Sequence, residues 1–194
     1  MGGRHAVTSA ARRREPSMAS SLDSRIIFDA ILQSAAVGLF HSLNIALAPM
    51  PRKADDSKVD TDNKLLAHIS YDARMIRGEL QLAVPPGVLG LIDRDATQGA
   101  TPEDVVKDLT KQLLDRIKNR LAQFGTVLRV GLPVRGTAEG LNREVAEPAG
   151  VLSLYSFRTL RGVVTISTRG AIDPTALSYS GAMRVFDEGD VIIF

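Results

Sequence analysis

The sequence predicts an α+β domain in which an antiparallel-rich sheet packs against two long helices and a short one. Three observations carry that expectation. Residues 65–72 and 76–84 alternate apolar and polar side chains at the two-residue period of a strand. Residues 101–124 repeat apolar side chains in steps of three and four, the period of a helix. Residues 151–157 and 163–168 form two further strand-like runs about a turn at 158–162, the pattern of a hairpin.

Taken in order, residues 1–22 are rich in Ala, Ser and Arg and read as a disordered leader. They lack the continuous apolar core of a secretory signal. A first helix is expected from Ser24, which would cap it, with Ile27, Ile31, Ala35 and Leu39 four residues apart. Residues 45–48 suggest a short strand ending at Pro49, and the polar stretch 52–64 a loop. The two alternating strands follow and stop at Pro85-Pro86, with a short helix over 88–92.

The strongest helix comes next. Thr101 caps it, Pro102 takes the first position, and Asp104 completes a Thr-x-x-Asp box. Val106, Leu109, Leu113, Ile117, Leu121 and Phe124 form its apolar side, and Gly125 ends it. Residues 127–134 alternate as one strand, 135–148 connect, and the hairpin follows. A last small hairpin is expected over 183–194. The domain is therefore placed at 23–172, with a C-terminal extension at 173–194.

Composition excludes several chemistries. The 194 residues contain no cysteine, which removes disulfides, thiol nucleophiles and cysteine-ligated metals. The three histidines, His5, His41 and His68, are too far apart for a paired-histidine metal motif. His41 and His68 fall within a predicted helix and strand, where a structural role suffices. Asp55-Asp56 lacks the arrangement of a calcium loop. No phosphate-binding glycine loop, dinucleotide fingerprint or Gly-x-Ser-x-Gly elbow is present, so neither a cofactor nor a metal is expected. The first 24 residues hold four arginines against Glu15 and Asp23, so the net charge of +2 belongs to them and the remainder is balanced. With no Trp and only 5% aromatic residues, a nucleic-acid surface is not expected. No stretch approaches the ~18 apolar residues of a membrane span, and a cytoplasmic protein is expected.

What remains is the polar side of the long helix. Asp104, Asp108, Lys111 and Asp115 fall on one narrow stripe opposite its apolar side, with Gln112 and Asn119 beside them. By itself this is also the pattern of a solvated amphipathic helix.

The order of elements over residues 26–169 resembles the CheC/CheX/FliY group of chemotaxis phosphatases, and CheX most. Residues 77–82 (Arg-Gly-Glu-Leu-Gln-Leu) are similar to a strand of that family, residues 108–125 to its central helix, and residues 130–133 (Val-Gly-Leu-Pro) to the strand that ends in its proline. The resemblance implies a response-regulator receiver as partner and an aspartyl phosphate as substrate. The family's signature is an acid or Ser, then Glu four residues on, Asn three after that, and a proline downstream. Asp104 matches the first place, Asp108 replaces Glu, Lys111 stands where Asn should be, and Pro133 matches the proline. The motif is thus degenerate. An amide can accept a water's proton while donating to another oxygen, whereas lysine only donates.

Three expectations follow. The first is a CheX-like domain that engages a receiver with weak or lost phosphatase activity, contacting it through Asp104, Asp115 and Pro133. The second is an active aspartyl-phosphate phosphatase using Asp108 with Gln112, an acid–amide spacing similar to that of CheZ, an unrelated chemotaxis phosphatase. The third is a non-catalytic assembly protein. With the third goes the apolar run 191–194, which would add a strand to its own sheet or to a neighbour's, and the resemblance implies a homodimer.

Overall fold

The computed structural model describes residues 23–51, 62–92, 99–136 and 152–177. The leader, Asp55-Asp56, the connection over 137–148 and the C-terminal hairpin with its apolar run lie outside the described residues. The elements run α1 (Ser24–Ser42), β1 (Ala48–Pro49), β2 (Leu65–Ala73), β3 (Ile76–Val84), α2 (Pro86–Leu89), α3 (Pro102–Ala122), β4 (Arg129–Val130), β5 (Val134–Arg135), β6 (Leu152–Thr159) and β7 (Gly162–Ile172). All seven strands join one sheet in the order β1-β6-β7-β3-β2-β4, with β5 also on β2. Every pairing is antiparallel, as the alternating segments predict.

Register places the core on one face. From Leu65↔Val84 to Ala73↔Ile76, β2 and β3 pair residue by residue, so Ala67 and Ile69 stand beside Leu82 and Leu80. Next along, Leu82 is opposite Ile166 of β7, and Ile166 is opposite Tyr155 of β6. Phe28, Leu32, Leu39 and Phe40 of α1 and Leu113, Leu114 and Ile117 of α3 close over this face, all essentially inaccessible to water. The other face is polar along its middle, where His68, Gln81 and Ser167 stand abreast and Glu79 faces Arg169.

Local chemistry moves several boundaries from their predicted places. Asp23, not Ser24, caps α1, its side chain accepting from the Arg25 N–H at 2.9 Å. Ser24 is buried instead, donating to the Pro174 carbonyl at 2.6 Å and accepting from the Leu177 N–H at 2.9 Å. Leu177 itself is fully buried, so packing continues past the end of β7. The first strand shrinks to Ala48–Pro49, because Ile45 turns down into the core and Pro49 has no N–H to extend the ladder. The short helix starts at Pro86, a residue suited to a first turn.

The predicted strand over 127–134 is split. Gly131 N–H still bonds the Ser70 carbonyl at 2.9 Å, then Leu132 and Pro133 leave the ladder, which resumes at Val134. Proline cannot donate there.

The start of α3 is as the sequence predicts. Thr101 Oγ1 accepts from the Asp104 N–H at 3.2 Å and donates to Asp104 Oδ2 at 2.7 Å. Thr101→Ala is expected to lower stability by about 1 kcal/mol, a fall of roughly 3 °C in Tm. The Thr101 hydroxyl first, and then Lys107, holds the Asp104 carboxyl below the usual carboxylate range. A depressed folded pKa stabilises above the unfolded value and is lost as pH falls through the folded one. In Thr101→Ala the Asp104 pKa should therefore rise toward its ordinary value, read by NMR titration. An unmoved Asp104 would remove the hydroxyl as the cause.

Candidate functional site

Seven buried side chains, Val106, Leu109, Thr110, Leu113, Leu114, Ile117 and Leu121, seat one side of α3 on β2 and β3. Its flank toward α1 is marked by Arg116, which donates to Ser42 Oγ at 3.1 Å, and by Arg120, which donates to Ser34. α1 in turn lies over β6, where Arg25 donates to Ser153 Oγ at 2.8 Å and the Tyr155 hydroxyl donates to Asp29. The opposite flank of α3 therefore overlooks the sheet edge formed by β4 and β5.

At about 100° per residue, Asp104, Asp108, Lys111 and Asp115 span roughly 60° of arc on the side turned away from the core. Asp104, Asp108, Lys111 and Gln112 are exposed, and Asp115 is half-buried. The predicted stripe is thus a convex, solvent-facing ridge. Three contacts organise it. Gln112 Nε2 donates to Asp108 Oδ2 at 2.7 Å. Lys111 Nζ reaches Asp115 Oδ2 at 3.4 Å, and Lys107 Nζ reaches Asp104 Oδ1 at 2.9 Å.

The first contact has a chemical consequence. A carboxylate only accepts, so the amide turns its NH2 group to Asp108 and leaves Oε1 as a free acceptor. Asp108 and Gln112 are thereby brought together, while Lys111 is drawn to Asp115 one turn further on. Pro133 lies off the ridge, in the break between β4 and β5.

Two concave sites lie elsewhere. A hollow of about 580 Å³ sits along α1 against Ile26, Ala30 and Val37, and one of about 460 Å³ lies among Asp72, Arg74, Val127 and Arg129. Neither includes a ridge residue. A convex ridge cannot enclose a small substrate, so its chemistry needs a pocket that a partner brings. Among the described residues no cluster of three metal-ligating side chains occurs. His41 is exposed in the last turn of α1, and His68 stands between Gln81 and Val134 in the sheet, so they form no joint site.

Sequence reasoning missed two groupings. One is the Arg25–Asp29–Tyr155–Ser153 network under α1, whose sequence trace is an Arg and an Asp four residues apart. Burial first, and then Asp29, pushes the Tyr155 phenol well above its ordinary pKa, and burial does the same to Tyr71, so both remain neutral hydrogen-bonding groups. The other is Arg135, assigned by sequence to the connection but paired in β5 opposite Ala67. Its trace is the alternation of 127–134 carried one residue further.

This is a CheC/CheX-type α+β fold with an unshielded ridge on its second long helix. The likeness is to a CheC-like superfamily protein from Shewanella sp. PV-4, with TM-score 0.56 and 20% identity over 73% of this chain and 96% of that one. Chemotaxis protein CheX from Vibrio vulnificus superposes with TM-score 0.55 and 16% identity, over 73% of this chain and 95% of its own. The CheX–CheY–BeF3–Mg2+ complex from Borrelia burgdorferi gives TM-score 0.50 and 10% identity, over 73% and 96%. Identities this low carry the fold and leave the chemistry to the residues themselves. No family model and no curated protein matches the chain. Among the described residues no helix is long and apolar enough to cross a membrane.

Proposed function

We propose that the chain is a CheX-like signalling domain that docks a response-regulator receiver through the α3 ridge, in chemotaxis or two-component signalling, with weak or lost phosphatase activity. The observation that carries this reading is the ridge itself: Asp104, Asp108 and Lys111 project into solvent from a helix whose other side is fixed to the sheet. The reading is supported by the likeness to a CheX solved with CheY. BeF3 is a mimic of a phosphoryl group, so such a partner carries an anionic centre. Lys111 weakens catalysis because an ammonium offers hydrogens and no lone pair with which to orient a water. The test is binding of the purified chain to receiver domains from the same genome. At least one should bind, and absence of binding to all of them would overturn the proposal.

A second reading is favoured by the 2.7 Å bond from Gln112 to Asp108. It commits the amide's NH2 group to Asp108 and leaves its carbonyl oxygen as the atom that can accept from a water attacking an aspartyl phosphate. In this reading the domain is an active phosphatase, and Gln112→Ala should slow accelerated dephosphorylation by roughly tenfold or more while receiver binding survives. A rate unchanged in Gln112→Ala would end it.

A further inference from the structure

We infer that the acidic run Asp187-Glu188-Gly189-Asp190 docks into an arginine-lined hollow at the β2–β3 turn and latches the C-terminal segment onto the domain. The latch lies off the α3 ridge and does not depend on what that ridge docks.

The hollow, about 460 Å³ among Asp72, Arg74, Val127 and Arg129, sits where the β2–β3 turn meets the chain leaving α3. Register sets its charge. Arg129 of β4, Asp72 of β2 and Arg77 of β3 stand abreast, with Arg74 in the turn beyond, and all four are exposed. Two strand spacings, about 10 Å, separate the ends of that row. Three arginines thus face one aspartate, and among the described residues none of the three makes an ion pair. Asp173 adds no free acid, because the N–H and hydroxyl of Thr175 donate to its carboxylate at 2.8 and 2.6 Å. Val127 and Met75 contribute exposed apolar surface, 77% and 41% open to water.

The last described residues border this hollow. The Asp173 N–H donates to the Met75 carbonyl at 3.0 Å, and Thr126 Oγ1 donates to the Ala176 carbonyl at 3.5 Å. Met75 adjoins Arg74 and Thr126 adjoins Val127, so residues 173–176 run from one wall to the other. Past Leu177, nine residues precede Asp187, enough for about 30 Å of extended chain. Asp187, Glu188 and Asp190 lie at most about 10 Å from one another, the width of the arginine row. Arg184 is the only cation from 178 to 194, so the segment is acidic. The apolar run Val191-Ile192-Ile193-Phe194 follows the acids and suits Val127 and Met75. A single exposed ion pair is weak. Here several act together, and the tether gives the acids an effective concentration on the order of millimolar.

Trypsin reads the latch, because it can cut residues 178–194 only after Arg184. Cutting there tracks the population in which the segment is released. In the full chain at low salt, the fragment beginning at Val185 should appear about fivefold or more slowly than in the double variant Arg74→Gln, Arg129→Gln. The pair Glu188→Gln, Asp190→Asn should speed its appearance equally, and all four changes together should add nothing to either pair. About 0.5 M NaCl should erase the difference between parent and variants. Arg158→Gln, at the opposite end of β6 and β7, should leave the rate alone. A parent cut as fast as the arginine variant, or effects of the two pairs that multiply, overturns the latch. So does protection that grows with chain concentration, which would give the hollow to a second copy's segment.

Discussion

Gly78→Ala is expected to destabilise the domain by about 3 kcal/mol, lowering Tm by roughly 10 °C. Gly78 of β3 and Gly170 of β7 are direct partners in the sheet. A Cβ on Gly78 would fall inside the contact distance of the Arg169 carbonyl oxygen and 2.8 Å from the Tyr71 hydroxyl. A Cβ on Gly170 would overlap the Arg77 carbonyl and stand 2.7 Å from the Gly78 Cα. Backbone atoms cannot rotate aside, so the strands must separate. Tyr71 is almost wholly buried and tilts against Phe28 with ring centroids 6.0 Å apart. Its hydroxyl occupies the space beside the Gly78 Cα where a side chain would stand. Tyr71→Phe should not rescue Gly78→Ala, because the backbone overlap remains. A Tm for Gly78→Ala within about 2 °C of the parent would show that the strands can part at little cost.

Lys111→Asn is expected to raise the dephosphorylation rate of a bound receiver by tenfold or more, equivalent to about 1.4 kcal/mol off the barrier. The substitution restores a group that donates and accepts at once, at an exposed position among Asp104, Asp108 and Asp115. It also removes the ammonium that faces Asp115 at 3.4 Å, leaving that carboxylate free for a partner's cation. Turnover should rise while binding survives, and decay at saturating domain separates the two. Decay that stays at the parent rate in a variant that still binds would show that the ridge docks without the geometry hydrolysis needs.

Much of this arrangement is legible in the sequence because it depends on local periods. The alternation of residues 65–84 fixes which side chains share a face, and the spacing from Val106 to Leu121 turns Asp104, Asp108 and Lys111 to water. The α3 cap is equally local, a Thr followed by Pro and then an acid. Tertiary partners decide the rest. Ser24 has the chemistry of a cap, yet it is spent on Pro174 and Leu177, about 150 residues away in sequence. The strand over 127–134 looks continuous because alternation does not register that Pro133 lacks a donor. For Arg135 the sequence gives its charge, and only the pairing with Ala67 gives its neighbours. The hydrogen bond from Gln112 to Asp108 is a permitted spacing on any helix, and only the folded side chains choose it over an approach by Lys111.

The bonds from Ser24 to Pro174 and Leu177 have a consequence for how such a domain can be wired into larger assemblies. The described body begins and ends at a single corner, like a plug whose two leads leave through one socket. A module of that shape can be spliced into a loop of a host protein without disturbing either fold, since the insertion points sit side by side. Cargo attached at that corner, whether one copy or two, would swing from a common pivot.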